Sequence, residues 1–553
     1  MVVAATFALR LAIGASTSWA LDDFQARERL SAPLSAGQLF ADHGGHLNPI
    51  GSLLQWFVQH ALPGRYVPLM VISAALVGIG QLIIARWAAR MYGYGAQPLV
   101  VAGFLGLSMM LYEVATWWSV AVYAAPMVTA SSLLLLLTSQ YLRTGTRFLA
   151  VLLVFVLCLL ASPKAVLLPI VLVTVAAACP VLDSGPMGFR AAVVHWRRLW
   201  GALLTLASVY GVFYVVLSNG PSLGPRTLTT YATWTASILG QAVLPALWGG
   251  PWAWAGRFGI DPMPIEVPLL VFGLTAVFIA WSVVRKPASR RAWIGWGAYV
   301  ACSIAMTAYG RAGSSLAGPA LRYTFDLTLP SAVVLATILT DRTKVPFTPP
   351  RKWVALWAAL WLVSSGTTYA YAWPKPLAIT AWSAAVRAHY SEVRGGLLEQ
   401  PMPSRLVLVP ERLGTYLTGD PGAPEELDVV IDELLGFDDN GNLIDRNLSG
   451  VPVRPPGQFC EYLASRDRTA VMPLTLGVSA ARHVIALDYS LNATSSAWLS
   501  LGDGPPTTAK IPAGVHRLYA VVGGQGMDLR VQLANPIATI CVHSAMVGFV
   551  GGD

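Results

Sequence analysis

Long apolar runs alternate along this chain with short clusters of positive charge, and this alternation sharply limits the possible folds. About eleven runs approach the roughly 20 residues that a membrane span requires: 2–20, 67–89, 97–112, 118–139, 148–161, 165–182, 199–217, 265–284, 293–310, 325–340 and 353–373. Basic clusters follow every second run: Arg86 and Arg90; Arg143 and Arg147; Arg190, Arg197 and Arg198; Arg285, Lys286, Arg290 and Arg291; Arg342, Lys344, Arg351 and Lys352. Because Lys and Arg concentrate in cytoplasmic loops, we predict about eleven transmembrane helices, a cytoplasmic N-terminus and an extracytoplasmic C-terminus.

The composition agrees with a membrane protein and argues against nucleic-acid binding. Apolar residues make up 55% of the chain and charged residues 12%, and the mean hydropathy is +0.57. Soluble domains are about 45–50% apolar and about 25% charged. The formal net charge is +9, but the positive residues lie mainly in short loops between apolar runs. This distribution is typical of membrane orientation rather than of a basic groove for nucleic acid.

The first apolar run, Val2–Ala20, has neither a basic n-region nor a clear small-residue cleavage site. A retained first span is therefore favoured over a cleaved signal peptide. The missing N-terminal positive charge, together with Arg10 inside the run, suggests that the start of the protein lies upstream. Arg10 could equally snorkel toward a lipid headgroup.

Two long apolar stretches are predicted to be interrupted. Basic clusters flank residues 97–139 on both sides, so we expect a hairpin with Glu113 and Trp117 at its outer turn. In residues 148–182 the interruption falls at Ser162-Pro163-Lys164, because proline breaks a helix.

Two further segments, 50–58 and 228–248, are interpreted as helices that lie in the outer membrane interface. In both, apolar residues recur at helical spacing. Tryptophans such as Trp56 and Trp248 suit that depth, either as substrate contacts or as an aromatic belt.

The chain is predicted to contain two domains, a transmembrane domain over residues 1–373 and an extracytoplasmic domain over residues 374–553. From about Val471, short β-prone runs broken by turn residues predict a small antiparallel sandwich or jelly roll. The exposed polar residues of this domain and Trp498 suit carbohydrate binding, although a purely structural sandwich fits equally well. Cys460 and Cys541 could form a disulfide there, but their spacing does not establish the pairing.

The predicted topology gathers acids and cations on the outer face of the membrane: Asp22, Asp23, Glu28, Asp42, His43, His46, Glu113, Lys164, Arg226, Arg257, Arg311 and Arg322. Nucleotide sugars and ATP are not available on that side, so an activated sugar would arrive on a lipid carrier. A polyprenyl phosphate leaving group requires Lys or Arg, and a sugar hydroxyl acceptor requires a carboxylate base. Lys164 and Arg322 are our candidates for the donor phosphate, and either could instead be a snorkelling anchor.

Several short motifs lie at the outer ends of these apolar runs: Leu21-Asp22-Asp23-Phe24, Asp42-His43-Gly44-Gly45-His46-Leu47-Asn48-Pro49, Thr116-Trp117-Trp118 and Leu321-Arg322-Tyr323. A first span followed by Asp-Asp in a long outer loop, many further spans and an extracytoplasmic C-terminal domain resembles the GT-C membrane glycosyltransferases, which use polyprenyl-phosphate sugars. The first loop is similar to that of actinobacterial members, and the resemblance covers most of residues 1–373.

The resemblance implies an inverting transfer in which one acid of the pair deprotonates the acceptor. Asp22 is our first choice, with Asp23 orienting it or binding a divalent cation; either acid could instead be a solvated helix end. His46 would hydrogen-bond donor or acceptor, or be structural. The resemblance also implies substrate contacts for two aromatic residues, Trp117 and Tyr323. Glu113 is a second acid or, in our favoured interpretation, a turn residue. No set of metal-ligating residues is assigned from the sequence, and whether a divalent cation takes part is left open.

The expected function is transfer of a sugar from a polyprenyl-phosphate donor to a cell-envelope polysaccharide or glycolipid by a multi-pass protein of a bacterial plasma membrane. Arabinofuranose is the first choice and mannose the second, because the composition indicates a GC-rich actinobacterial source. The alternative is a non-catalytic transporter or tether of envelope glycans with a carbohydrate-binding C-terminal domain. A transporter places polar residues at mid-membrane depth, whereas the charges here are predicted to lie at one face.

Overall fold

The computed structural model describes most of the helical part of the chain and much of its C-terminal part. The described residues are 2–15, 34–41, 47–61, 67–94, 96–180, 186–217, 227–252, 263–311, 320–339, 351–372, 429–431, 435–437, 443–445, 448–455, 460–478 and 482–550. The chain divides into two compact units, Met1–Ala384 with Gly396–Pro401 and Ala385–Gly395 with Met402–Asp553. The first unit is helical and the second is β-rich.

Seventeen α-helices are described in the first unit. They are α1 Val2–Ala15, α2 Ala36–Leu39, α3 Pro49–Ala61, α4 Val67–Tyr92, α5 Ala96–Leu107, α6 Tyr112–Thr116, α7 Trp118–Thr144, α8 Phe148–Ala161, α9 Leu168–Ala178, α10 Phe189–His195, α11 Arg197–Leu217, α12 Leu228–Ile238, α13 Leu244–Leu247, α14 Glu266–Arg285, α15 Pro287–Arg311, α16 Thr328–Ile338 and α17 Arg351–Ala372. Short 3-10 turns cover Met109–Leu111, Pro163–Leu167, Leu321–Tyr323 and Phe325–Leu327, and a π-turn covers Leu239–Val243.

Four of the described helices, α4, α7, α11 and α14, are long and apolar enough to cross a membrane. A fifth is added if the bent pair Gln97–Leu107 and Met109–Thr116 forms one span. Shorter apolar helices occur at Val2–Ala15, Phe148–Ala161, Pro163–Ala178 and Phe325–Ile338. The chain is therefore a mostly helical membrane protein, and the total of about eleven spans stays a prediction.

Both predicted interruptions are present. Residues 97–139 do not form one helix, because the chain breaks at Ser108 and again at Trp117, before α7 begins. The second stretch breaks where α8 ends at Ala161, and Pro163 then occupies the first position of a 3-10 turn. Proline is tolerated at that position because no helical partner is required for its missing N–H group.

Helix α3 forms where the first interfacial helix was predicted. Its start is fixed by Asn48, whose side-chain oxygen accepts a hydrogen bond from the Gly51 N–H at 2.9 Å, the usual role of an asparagine at a helix N-terminus. Gln55 lies on its buried face, whereas Leu53 and Phe57 are exposed. Helix α3 thus turns part of its apolar surface outward, and its location in the outer interface stays a prediction.

The second segment, 228–248, packs against other helices at its C-terminal end. The Trp248 indole N–H donates to Thr275 Oγ1 at 2.9 Å, halfway along α14. The Thr368 hydroxyl of α17 donates to the Gly249 carbonyl at 2.7 Å. Because Val243 and Ala246 are also buried, this end packs among the helices, and its position relative to the membrane interface stays a prediction.

The β-rich unit contains twelve described strands. They are β1 Val429–Ile431, β2 Leu435–Phe437, β3 Leu443–Asp445, β4 Leu448–Pro452, β5 Tyr462–Ala464, β6 Ala470–Val478, β7 Arg482–Leu491, β8 Ser495–Leu501, β9 Thr507–Ile511, β10 Gly514–Gly523, β11 Gly526–Leu533 and β12 Ile540–Val550. One antiparallel sheet has the order β1-β10-β7-β12-β4, with β5 also paired to β12, and a second has the order β6-β11-β8-β9.

The two larger sheets share one apolar core. Buried residues from both sheets pack there, including Leu487 of β7, Leu518 of β10, Leu499 of β8 and Val531 of β11. Alternate residues of β8 are buried, the pattern of a strand with one face on a core. The C-terminal part is therefore β-rich, whereas the jelly-roll topology stays a prediction.

Cys460 and Cys541 form a disulfide in this unit, with their Cα atoms 5.1 Å apart. The sequence had left this pairing open. The bond closes a long loop, because the two cysteines are 81 residues apart in the chain.

Candidate functional site

Three of the predicted site residues lie outside the described residues. These are the two candidate catalytic acids, Asp22 and Asp23, and the candidate substrate ligand His46. Their predicted roles stay predictions. The other five predicted site residues belong to the helical unit and lie around one short segment of the chain, residues 320–327.

Arg322 and Glu113 form a buried ion pair. Arg322 belongs to the 3-10 turn Leu321–Tyr323, and Glu113 lies in the first turn of α6. Arg322 Nη1 is 3.5 Å from Glu113 Oε2, and only 13% and 4% of the two side chains are exposed. A snorkelling anchor would keep its charged end in water, and a turn glutamate would be exposed. Neither description fits the buried side chains of Arg322 and Glu113.

Two aromatic rings contact the Arg322 guanidinium. Its central carbon is 5.4 Å from the centre of the Trp117 ring and 4.9 Å from that of the Tyr323 ring. The Tyr323 ring in turn lies 6.3 Å from the Trp234 ring of α12. Cation–π contacts of this kind stabilise a desolvated guanidinium while leaving its N–H groups available in the guanidinium plane.

Lys164 and Asp326 form a second buried ion pair on the same segment. Lys164 Nζ donates to Asp326 Oδ1 at 2.8 Å, to the Tyr323 carbonyl at 2.6 Å and to Ser303 Oγ at 3.1 Å. The Ser303 hydroxyl donates to the other carboxylate oxygen, Asp326 Oδ2, at 2.7 Å. The Asp326 side chain is 0% exposed and that of Lys164 is 13% exposed.

The two cations differ in their remaining capacity for a ligand. An ammonium group has three N–H donors, and those of Lys164 bind Asp326, Tyr323 and Ser303, so a phosphate there would displace one of these partners. Arg322 has five N–H donors; it contacts Glu113 only at 3.5 Å, which is long for a good hydrogen bond, and its other side-chain partner is Tyr323. Arg322 is therefore the better candidate for an anion.

Two buried polar atoms beside Arg322 lack a hydrogen-bond partner in the described structure. They are Glu113 Oε2 and the Trp117 indole nitrogen, and their residues are only 3% and 5% exposed. Buried polar groups are normally hydrogen-bonded, so each exception requires an explanation. One acceptor and one donor next to a cation could bind a hydroxyl-bearing anionic ligand.

Sequence reasoning missed Asp326 and Ser303. The run 325–340 was interpreted as a span, so Asp326 was placed inside it without a role, and Ser303 lay within another span. A single acid in an apolar run is a signal that could have found Asp326, because ionisable residues in membrane segments are costly and usually functional.

Among the described parts of the chain, no group of three or more His, Cys, Asp or Glu side chains is arranged to hold a metal ion. The divalent cation considered for Asp23 falls outside those parts. The described site therefore consists of two cations, two carboxylates and aromatic rings.

Comparisons with known proteins do not assign the chain to a family. No protein-family model matches it, and no curated protein matches it. The fold and the site define its class only as a mostly helical membrane protein with a β-rich C-terminal unit and buried ion pairs in its helical unit.

Proposed function

We propose that the protein is a glycosyltransferase that moves a sugar from a polyprenyl-phosphate donor to a cell-envelope glycan on the outer face of the membrane. The observation that best supports this is the Arg322 site: a buried cation in contact with two aromatic rings, beside a carboxylate oxygen and an indole N–H that lack hydrogen-bond partners in the described structure. Arg binds phosphate through charge-assisted hydrogen bonds, and a carboxylate and an N–H suit sugar hydroxyls.

Each residue then has a chemical role. Arg322 binds the donor phosphate and stabilises the charge that develops as the sugar–phosphate bond breaks. The acceptor hydroxyl oxygen forms the new bond to the sugar's anomeric carbon, polyprenyl phosphate departs, and Asp22 accepts the hydroxyl proton. Trp117 and Glu113 hold sugar hydroxyls, and Lys164 holds the 320–327 segment in place through Asp326.

The proposal includes the finer topology: about eleven spans in a bacterial plasma membrane, a cytoplasmic N-terminus and an extracytoplasmic β-sandwich or jelly roll. In this topology Glu113, Lys164 and Arg322 belong to one outer face. Arabinofuranose is the first candidate sugar and mannose the second.

A transfer assay tests the proposal. Membranes containing the full chain are incubated with radiolabelled decaprenyl-phosphate arabinofuranose or mannose and with envelope glycan, and label in the glycan is measured. We expect Arg322→Met to lower transfer by about 10²–10³-fold, the usual effect of removing one donor to developing charge. Arg517→Met is the matched control, because Arg517 is the exposed arginine of an ion pair in the β-rich unit.

The acid pair is tested separately with Asp22→Ala and Asp23→Ala. If both variants transfer label at the wild-type rate, neither acid is the base. If the wild-type protein transfers neither sugar, the donor class is wrong.

One observation favours the alternative of a glycan-binding membrane protein. Trp498 is 39% exposed in the β6-β11-β8-β9 sheet, between its cross-strand neighbours Gln532 and Thr508. An exposed aromatic ring flanked by hydrogen-bonding side chains suits a sugar ring.

If the alternative is right, the full-length protein should bind immobilised arabinan or mannan, and Trp498→Ala should weaken this binding. Val515→Ala, a change at an exposed residue of the other sheet, should leave the binding unchanged. Binding without any transfer would support the tether over the enzyme.

A further inference from the structure

The helix break that precedes Glu113 is held by a buried arginine from the first helix. Helix α5 ends at Leu107, and the segment Met109–Thr116 continues at an angle of 45° to it. Glu113 lies on that second segment, so the direction of the bend determines where its carboxylate lies. Sharp bends expose backbone carbonyls that a continuous helix would satisfy, and these carbonyls then require other donors.

Arg10 supplies such donors on both sides of the break. Its Nε and Nη2 atoms donate to the Gly106 carbonyl at 3.1 and 2.7 Å, and its Nη1 atom donates to the Leu111 carbonyl at 3.1 Å. Gly106 precedes the break and Leu111 follows it. The planar guanidinium therefore bridges the two segments with a fork of fixed geometry.

Arg10 is 3% exposed, so its charged end does not snorkel to a headgroup. Among the described residues it forms no ion pair, and all three of its hydrogen bonds go to backbone oxygens. A buried cation without a carboxylate partner is costly. Simple helix packing would be served better by an apolar residue at this position.

Two further contacts tie the same segment to its neighbours. The Ser73 hydroxyl of α4 donates to the Val114 carbonyl at 3.0 Å. Gly14 of α1 approaches so closely that an added Cβ atom would lie 3.0 Å from the Ala115 carbonyl oxygen and 2.8 Å from Met70 Cβ. Helices α1 and α4 therefore hold the backbone around Glu113, and Arg10 is the charged member of these contacts.

We propose that Arg10 is a positioning residue that fixes the bend at Ser108 and thereby holds Glu113 beside Arg322. A lysine has three N–H donors on one nitrogen, but it lacks the rigid planar fork with which Arg10 reaches Gly106 and Leu111 from separate nitrogens, so it would hold the bend less firmly. The role of Glu113 in sugar transfer rests on the proposed function, whereas the fixing of the bend does not.

Hydrogen exchange measured by mass spectrometry on the full chain in lipid nanodiscs tests the bend directly. In Arg10→Met we expect amides of residues 106–117 to exchange about tenfold faster, with residues 228–247 unchanged, because a lost tie lowers the cost of local opening. Arg10→Lys should show a smaller increase. Arg291→Met is the matched control, since Arg291 Nη1 also donates to two backbone carbonyls, those of Ala177 and Pro186.

The transfer assay adds a readout that general destabilisation would not reproduce. We expect Arg10→Met to lower kcat about tenfold with the KM for decaprenyl-phosphate sugar within twofold, and Arg10→Lys to restore part of kcat. The proposal is overturned if residues 106–117 exchange at the wild-type rate in both variants. If Arg10→Met does not fold, the exchange rate of these residues in Arg10→Lys decides the question. Faster exchange in a protein whose wild type shows no transfer supports the positioning role and rejects the proposed function.

Discussion

Ion pairs occur in both units of this protein, but their surroundings are opposite. In the helical unit, the Lys164 and Asp326 side chains are 13% and 0% exposed. In the β-rich unit, those of Arg517 and Asp488 are 52% and 32% exposed. Desolvating a charge costs several kcal/mol, whereas an exposed pair is worth about 0–1 kcal/mol. The buried pairs therefore mark positions where the protein tolerates an unfavourable desolvation free energy. The exposed pairs carry no such information.

The two buried pairs also differ from one another. Lys164 and Asp326 are fully hydrogen-bonded with Ser303 and a backbone carbonyl. Glu113 and Arg322 meet at 3.5 Å and leave one carboxylate oxygen unsatisfied. We therefore expect the first pair to act mainly on stability and the second mainly on ligand binding.

The largest stability effect is expected for Asp326→Ala. It leaves Lys164 buried without its counter-charge, and breaking one side of a buried pair costs about 3–5 kcal/mol. Heating followed by fluorescence-detected size exclusion should show a clear loss of thermal stability. Asp488→Ala is the exposed control and should change the result little.

A double variant separates charge from packing at this pair. Replacing both partners, as Lys164→Met with Asp326→Leu, should recover most of the lost stability, because a hydrophobic pair of similar volume is often neutral. If the double variant is as unstable as Asp326→Ala, the hydrogen bonds with Ser303 and with the Tyr323 carbonyl matter more than the charges.

The disulfide gives the second-largest expected effect and shows how the β-rich unit is stabilised. Replacing both cysteines, as Cys460→Ser with Cys541→Ser, removes the cross-link between two positions that are 81 residues apart in the chain. Loss of such a bond typically lowers the free energy of unfolding by about 2–4 kcal/mol. The effect should appear as faster proteolysis of residues 460–550, with the helical unit unaffected. Equal proteolysis with and without the bond would show that the two-sheet core alone determines the stability of this unit.

Glu113→Gln should have an intermediate effect on stability, about 1–3 kcal/mol: it removes the counter-charge of Arg322, but the amide oxygen keeps a hydrogen-bond acceptor in the same place, which the alanine of Asp326→Ala does not. Its effect on transfer should be larger than that of Asp326→Asn measured in the same membranes. The reverse order would assign ligand binding to the fully hydrogen-bonded pair and contradict the distinction between the two.

Local features of the helical unit were predictable from its sequence, whereas its partners were not. Pro163 and the flanking basic clusters predicted the breaks, because proline chemistry and charge act over a few residues. The predicted topology also grouped Glu113, Lys164 and Arg322, which all lie around residues 320–327 in the structure; their common membrane face stays a prediction. Which cation pairs with which acid depends on distances across the fold, so Asp326 was missed.

The contacts of Arg10 were beyond sequence reasoning for a different reason. Its partners are carbonyl groups, which every residue possesses, and only the bend between α5 and the segment after it makes two of them available. In the β-rich unit, by contrast, the β-prone runs predicted from about Val471 onward fall in the region where the structure has strands β6 to β12. Strand propensity and turn residues are local patterns, and they were sufficient to predict a β-rich part of the chain.

The smallest expected effect belongs to the exposed pair. Hydrogen bonds from Arg517 hold the pKa of Asp488 below its usual value, although partial burial opposes this, and the Ser544 hydroxyl also donates to the carboxylate. Because the pKa of Asp488 is lower in the folded state, the ionised carboxylate stabilises the fold, and this contribution is complete above the unfolded aspartate pKa of about 3.9. The contribution is lost as the pH falls through the lower folded-state value.

Arg517→Met should therefore cost about 0.2–1 kcal/mol at neutral pH, and the difference from wild type should vanish in strong acid. Thermal unfolding of the full chain at a series of pH values and two salt concentrations measures this, since salt screens exposed charges. A loss as large as that of Asp326→Ala, or one insensitive to salt, would mean that exposure does not separate the two classes of ion pair.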